Sequence, residues 1–96
     1  PGTEHRAVRQ TKDYLHEHYS GEVSLDDLAT LTQFNKHHLL QVFKREVGVS
    51  PQRYQTSLRL HRAKQLLARG VPVAQVAAEV GFVDQSHLNR HFKKYV

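Results

Sequence analysis

Cysteine is absent from the 96 residues, so a disulfide scaffold, thiolate metal ligation and thiol chemistry are excluded. Methionine and tryptophan are absent too, and the chain opens on proline, which predicts a segment cut from a longer protein. No apolar stretch approaches the ~18–20 residues of a bilayer span, and no charged-then-apolar leader is present, so a soluble chain with no membrane partner is expected. Runs of alternating β-branched residues are missing as well. Apolar residues make up only 39% of an 11.1 kDa chain, which predicts a thin core and no large catalytic cleft.

The charge that is present is unevenly placed. Residues 1–34 carry three basic against six acidic side chains, a net of −3, whereas residues 35–96 carry eleven against three, a net of +8. A basic segment of this density points to a polyanion, with nucleic acid as the leading partner class.

Apolar residues at three- and four-residue spacing predict an all-α chain. A first helix is expected over Glu4–Tyr19, with Ala7, Val8, Thr11, Leu15 and His18 on or beside one stripe and Ser20-Gly21 as its stop. Ser24-Leu25-Asp26-Asp27 has the capping-box pattern and opens a second helix that runs to about Leu31. Asn35 is a good N-cap for a third helix that ends at Gly48. Ser50-Pro51 starts a fourth, uninterrupted from Pro51 to Arg69 and closed by Gly70. Val73–Val80 forms a short fifth helix, and Asp84 caps a sixth that reaches the chain end.

An internal repeat organises these elements. Leu25, Leu28, Ala29 and Phe34 recur 48 positions later as Val73, Val76, Ala77 and Phe82, and Leu39, Phe43 and Lys44 recur at 49 as Leu88, Phe92 and Lys93. One residue is thus inserted in the second turn. Each half is a short apolar helix, a turn and a longer helix with apolar residues at i and i+4, the helix-turn-helix pattern. The expected architecture is two helix-turn-helix subdomains, residues 1–50 and 71–96, joined by a linker helix over 51–70. Gly81 supplies a turn residue tolerant of positive φ, whereas Gln33 at the matching place must adopt that conformation at a cost or use a different turn.

The motifs Ser24-Leu25-Asp26-Asp27-Leu28-Ala29, Leu39-x3-Phe43-Lys44-Arg45-Glu46-x-Gly48-Val49-Ser50-Pro51, Arg59-Leu60-x2-Ala63-x2-Leu66-Leu67 and Val76-Ala77-x3-Gly81-Phe82-x3-His87-Leu88-x-Arg90-x-Phe92-Lys93-Lys94 together resemble the AraC/XylS family of bacterial transcription regulators. The resemblance covers residues 5–96. It implies a DNA-binding domain spanning 1–96, with the second helix of each unit in a major groove of double-stranded DNA. It also implies an N-terminal sensor or dimerisation domain in the full-length protein, contact with RNA polymerase in activation, a cytoplasmic location, no cofactor and no catalysis. The chain departs from the family at Gln33, where glycine is usual, and at its end, where a closing Gly-x-Ser/Thr-Pro stretch and helix would follow, so residues 71–96 are expected to be truncated.

Helical geometry sorts the candidate contacts. On the third helix Leu39, Val42, Phe43 and Val47 share one side, and His37, Gln41, Lys44 and Arg45 the other, with Leu40 at the margin. Gln41 suits adenine, His37 a base edge and Leu40 a thymine methyl, while Lys36, His38, Lys44 and Arg45 suit phosphates. On the last helix Leu88, Phe92 and Tyr95 point inward and Ser86, Asn89, Arg90 and Lys93 outward, with Gln85 near the entry. Arg90 suits guanine, unless it pairs with Asp84 or Glu79, and Asn89 and Gln85 suit adenine or phosphate. Tyr54, Leu58, Ala63, Leu66 and Leu67 of the linker helix are expected to face the two halves, with Arg59 and Arg62 placed to reach DNA or acidic neighbours. Phe34 and Phe82 read as core plugs rather than base-stacking platforms. His87 and His91 have the i, i+4 spacing of a two-histidine metal site but lack a third ligand at a convincing spacing, so no metal is expected. A protein-interaction domain and a histidine-based enzyme are the readings from other classes, and no nucleophile, paired carboxylates or phosphate loop supports the latter.

Overall fold

The computed structural model describes residues 2–96 and consists, over these, of six helices: α1 (Gly2–His18), α2 (Leu25–Thr32), α3 (Lys36–Val47), α4 (Pro51–Ala68), α5 (Val73–Val80) and α6 (Gln85–Tyr95). Local chemistry sets the boundaries. Ser24 Oγ accepts from Asp27 N while Asp27 Oδ2 accepts from Ser24 N, both at 3.0 Å, and hydrogen bonding to its carboxyl from Ser24, the backbone N–H foremost, holds Asp27 below its ordinary range. Asn35 Oδ1 accepts from His37 N at 2.9 Å, Ser50 Oγ from Arg53 N at 3.1 Å with Pro51 in the first turn, and Asp84 Oδ1 from His87 N at 2.8 Å. The fifth helix starts from Pro72 without a side-chain cap.

Eighteen residues make α4 about 27 Å long, and the molecule measures 44 × 21 × 20 Å with α4 joining its two ends. Ala7, Leu28 and Leu39 meet where α1, α2 and α3 cross, and Val8, Val42 and Phe43 form an adjoining cluster with Tyr54 of α4 against it. At the other end Leu60, Ala63 and Leu66 of α4 pack with Val76, Ala77 and Val80 of α5 and with Phe82 and Leu88. The repeat is visible in the packing, since Leu39 and Leu88 are both fully buried. Three residues join α2 to α3 and four join α5 to α6, and the extra residue places Val83 almost wholly in solvent.

Several side chains differ from the sequence expectation. His18 is exposed and stacks on Tyr14 rather than lining the buried stripe. Leu58 is only half-buried, and Leu60 occupies the core instead, because α4 turns different faces to its two ends. The helix stops one residue before Arg69, whose own N–H bonds back to Leu66 O at 3.1 Å while Gly70 N bonds to Leu67 O at 2.9 Å. Phe82 is a buried plug as expected, but Phe34 is half-buried and stacked on His38 at 4.9 Å.

A clasp joins the halves. Arg59 donates from Nε to Tyr19 O at 2.6 Å and from a terminal nitrogen to Gly21 O at 2.8 Å, and Gln55 Nε2 donates to the same two carbonyls at 3.0 and 2.9 Å. Burial pulls the Arg59 guanidinium below its ordinary value. Thus Arg59 is spent on the end of α1 and reaches neither solvent-side partners nor acids. Against the same turn lies Gly81, where an added Cβ would collide with the Ser20 carbonyl.

Gly81 and Gln33 both adopt positive φ, at 98° and 61°, yet only Gly81 meets another segment. Gly81→Ala should therefore cost more than the ~1–2 kcal/mol of a left-handed non-glycine residue, because the Ser20 backbone must also move. Gln33→Gly should raise stability by up to about 1 kcal/mol or leave it unchanged. Paired denaturation curves check both, and equal tolerance of alanine at 81 and glycine at 33 would contradict the clasp.

Candidate nucleic-acid interface

Each second helix is rooted by its apolar side, and the remaining surface is then determined. On α3, burial of Leu39, Val42 and Phe43 leaves His37, Gln41 and Lys44 as an exposed stripe at i, i+4 and i+7. His38 and Arg45 occupy one flank, toward α1, and Lys36 and Leu40 the other. Leu40 is half-buried and borders a cleft with Leu15, Leu25, Leu28 and Pro51. Apart from Leu40, all the candidate residues of α3 are exposed.

The flanks are not free cations. His38 Nε2 donates to Glu4 Oε2 at 3.0 Å, Arg45 donates to Glu4 Oε1 at 2.9 Å, and Lys36 lies 3.3 Å from Asp26. His5 and Glu46 form a further α1–α3 pair. Hydrogen bonds from His38 and the charge and hydrogen bond of Arg45 hold the Glu4 carboxyl below its ordinary range. Sequence reasoning missed Glu4, because a pair 34 or 41 residues apart leaves no periodic signal.

On α6 the arrangement is barer. Gln85, Ser86, Asn89, Arg90 and Lys93 are all exposed above the buried Leu88. Neither expected partner of Arg90 takes it: the Asp84 carboxylate caps His87 N, and Glu79 accepts from Gln75 at 3.2 Å. Among the described residues no carboxylate lies within 4 Å of Arg90, Lys93 or Lys44.

Beneath this face a hydrogen-bond chain ties α6 to its turn. Val83 N donates to His87 Nδ1 at 3.3 Å, so neutral His87 carries its proton on Nε2, which donates to His91 Nε2 at 3.0 Å. That leaves His91 protonated on Nδ1, which is buried without a partner. A metal on both Nε2 atoms would drive the His87 proton onto Nδ1, against Val83 N–H, so the geometry favours the proton chain over ligation. Burial, and then the charges of His87, Lys94, Arg90 and Arg59, push His91 below its ordinary value of 6.5.

Similarity to known proteins follows the same architecture. A family model described as a helix-turn-helix domain matches residues 28–96. The chain is 41% identical over 81 residues to an uncharacterized helix-turn-helix-type transcriptional regulator, YbfI, of Bacillus subtilis, covering 84% of this chain and 30% of that protein. It is 26% identical to the lactose operon transcription activator of Staphylococcus xylosus, covering 92% of this chain and 32% of that protein. The chain thus spans about a third of these relatives' length. Among solved structures, a probable AraC family transcriptional regulator from Rhodopseudomonas palustris superposes with a TM-score of 0.83 at 27% identity, covering 93% of this chain and 85% of that one.

Folded His91 binds its proton more weakly than the unfolded chain does, so its contribution to stability is complete above about pH 6.5 and is lost as pH falls toward the lowered folded value. Between about pH 7.5 and 5.5 the melting temperature should fall, and His91→Gln should flatten that fall. Melting curves of both proteins at the two pH values check this, and parallel shifts would show that another group is responsible.

Proposed function

The chain belongs to the AraC-type helix-turn-helix family, and from that membership we propose that it binds double-stranded DNA sequence-specifically, as one bipartite unit with α3 and α6 in successive major grooves. The observation that carries this reading is the pair of exposed polar helices rooted by Leu39 and Leu88 at the two ends of α4. A helix of ~27 Å spans most of the ~34 Å between successive major grooves on one DNA face, and a modest bend closes the rest. Residues 1–50 read one patch, residues 71–96 the other, and 51–70 set their spacing.

Within each patch chemistry divides the work. Gln41 and His37 meet base edges, Leu40 a thymine methyl, and Lys44 a phosphate. Lys36, His38 and Arg45 contact phosphates by exchanging a carboxylate for one. Arg90 reads guanine through its planar fork, Asn89 and Gln85 read adenine or hold phosphates, and Ser86 and Lys93 position the backbone. The whole protein acts in the bacterial cytoplasm as a transcription activator in contact with RNA polymerase, its N-terminal part sensing or dimerising. The name of the Staphylococcus xylosus relative supports the activating role.

Selection from a random duplex library tests the reading. Recovered sites should hold two patches about one helical turn apart, and log affinity should fall with log salt at a slope of roughly −4 to −7 if about five to eight phosphates are contacted. Arg90→Ala should relax one base pair by about 1–3 kcal/mol, and Gln41→Ala a different one about a turn away. A slope near zero removes the DNA reading, and changes confined to the same few base pairs remove the bipartite one.

A further inference from the structure

Glu4 stands in the first turn of α1 and divides its two oxygens between donors on α3, His38 at 3.0 Å and Arg45 at 2.9 Å. Positions 38 and 45 lie two turns apart on one flank, directly beside the His37, Gln41 and Lys44 stripe. An anion with one oxygen on an imidazole N–H and another on a guanidinium is the chemistry that a DNA phosphate would present at this flank. Glu4 makes no hydrogen bond or ion pair with His37 or Gln41 among the described residues. Its carboxyl is held in the ionised form by these same partners.

We propose that Glu4 is a tethered competitor of the DNA backbone, occupying His38 and Arg45 in the free protein and lowering duplex affinity through the phosphate contacts of the first half alone. The inference rests on the placement of α3 in a groove. A phosphate docking at this flank must displace the carboxylate or face its charge, whereas base readout by His37 and Gln41 proceeds unhindered. The effect is therefore uniform across sequences. It matters because non-cognate DNA, which competes in vast excess, is bound through the backbone term. The second half has no such guard, since Arg90 and Lys93 face no carboxylate among the described residues.

The test compares the wild type with Glu4→Gln and with Glu17→Gln, a change of equal charge at the exposed far end of α1. Each is titrated against a mixed-sequence duplex and a duplex recovered by selection, over a range of salt, with melting curves alongside. Glu4→Gln should bind both duplexes roughly three- to fivefold more tightly at about 0.1 M salt, with a slope steeper by about one unit and unchanged base preference. Glu17→Gln should stay within about twofold of the wild type. Glu4→Asp, whose shorter side chain spans one donor at most, should give a smaller gain and serves if Glu4→Gln melts early. Adding Arg45→Gln should abolish the gain. Weaker binding by Glu4→Gln would make the residue a strap that positions α3, and a gain matched by Glu17→Gln would reduce it to bulk charge; either overturns the proposal. Failure of the wild type to bind any duplex in a salt-dependent way would instead remove the groove reading of α3, and the competitor with it.

Discussion

The arrangement of the molecule depends on four hydrogen bonds made to two backbone carbonyls. Tyr19 O and Gly21 O lie at the unpaired end of α1, where carbonyls lack helical partners, and Gln55 and Arg59 of α4 supply the donors. Gln55 and Arg59 are one turn apart on α4, so a single helix face closes the end of another. Each half has too few buried side chains to define its position relative to the other through apolar packing alone, and non-directional burial would allow them to slide. Directional bonds at the joint remove that freedom. The spacing of α3 and α6 then follows from α4 and this clasp.

The same economy separates the two exposed helices electrostatically. Of the five basic residues that α3 turns outward, histidines included, Lys36, His38 and Arg45 are matched by acids from α1 and α2, through Asp26 and Glu4, and among the described residues His37 and Lys44 face no carboxylate. These pairs are exposed and solvent-screened, so they hold the fold weakly and can be exchanged for another anion at little cost. The acidic first third of the chain is thus folded against the basic face of α3. On α6 the basic residues Arg90, Lys93 and Lys94 face no acid among the described residues, so their charge is left uncompensated at short range.

Much of this was legible in the sequence because it is local. Ser24, Asn35, Ser50 and Asp84 cap the helices their side chains can reach within three residues, and the boundaries fell within two residues of expectation. Helical periodicity likewise placed Leu39, Leu88 and the exposed stripes correctly, since one buried face is all that a helix against a small core has. Periodicity failed on α4, where two cores press from different directions and Leu60 replaced Leu58. The clasp was invisible because its acceptors are main-chain carbonyls, which every residue possesses. Glu4 escaped for a related reason: sequence distance says nothing about which acid folds onto which base.

The two turns show how tertiary contact, rather than the motif, selects a residue. Both place their C-cap in the left-handed region, yet one uses glutamine and the other glycine. If the turn itself demanded glycine, Gln33 would be an error in the first unit. Its side chain is exposed and carries only the modest strain of its φ. At Gly81 the Ser20 carbonyl occupies the space of a side chain, so the glycine answers to the joint between the halves. Val83, one step further, shows the converse: the inserted residue projects into solvent, where no packing constrains it. The halves of the repeat therefore differ where one of them touches the rest of the chain, and keep their likeness in the buried positions that each must fill for itself.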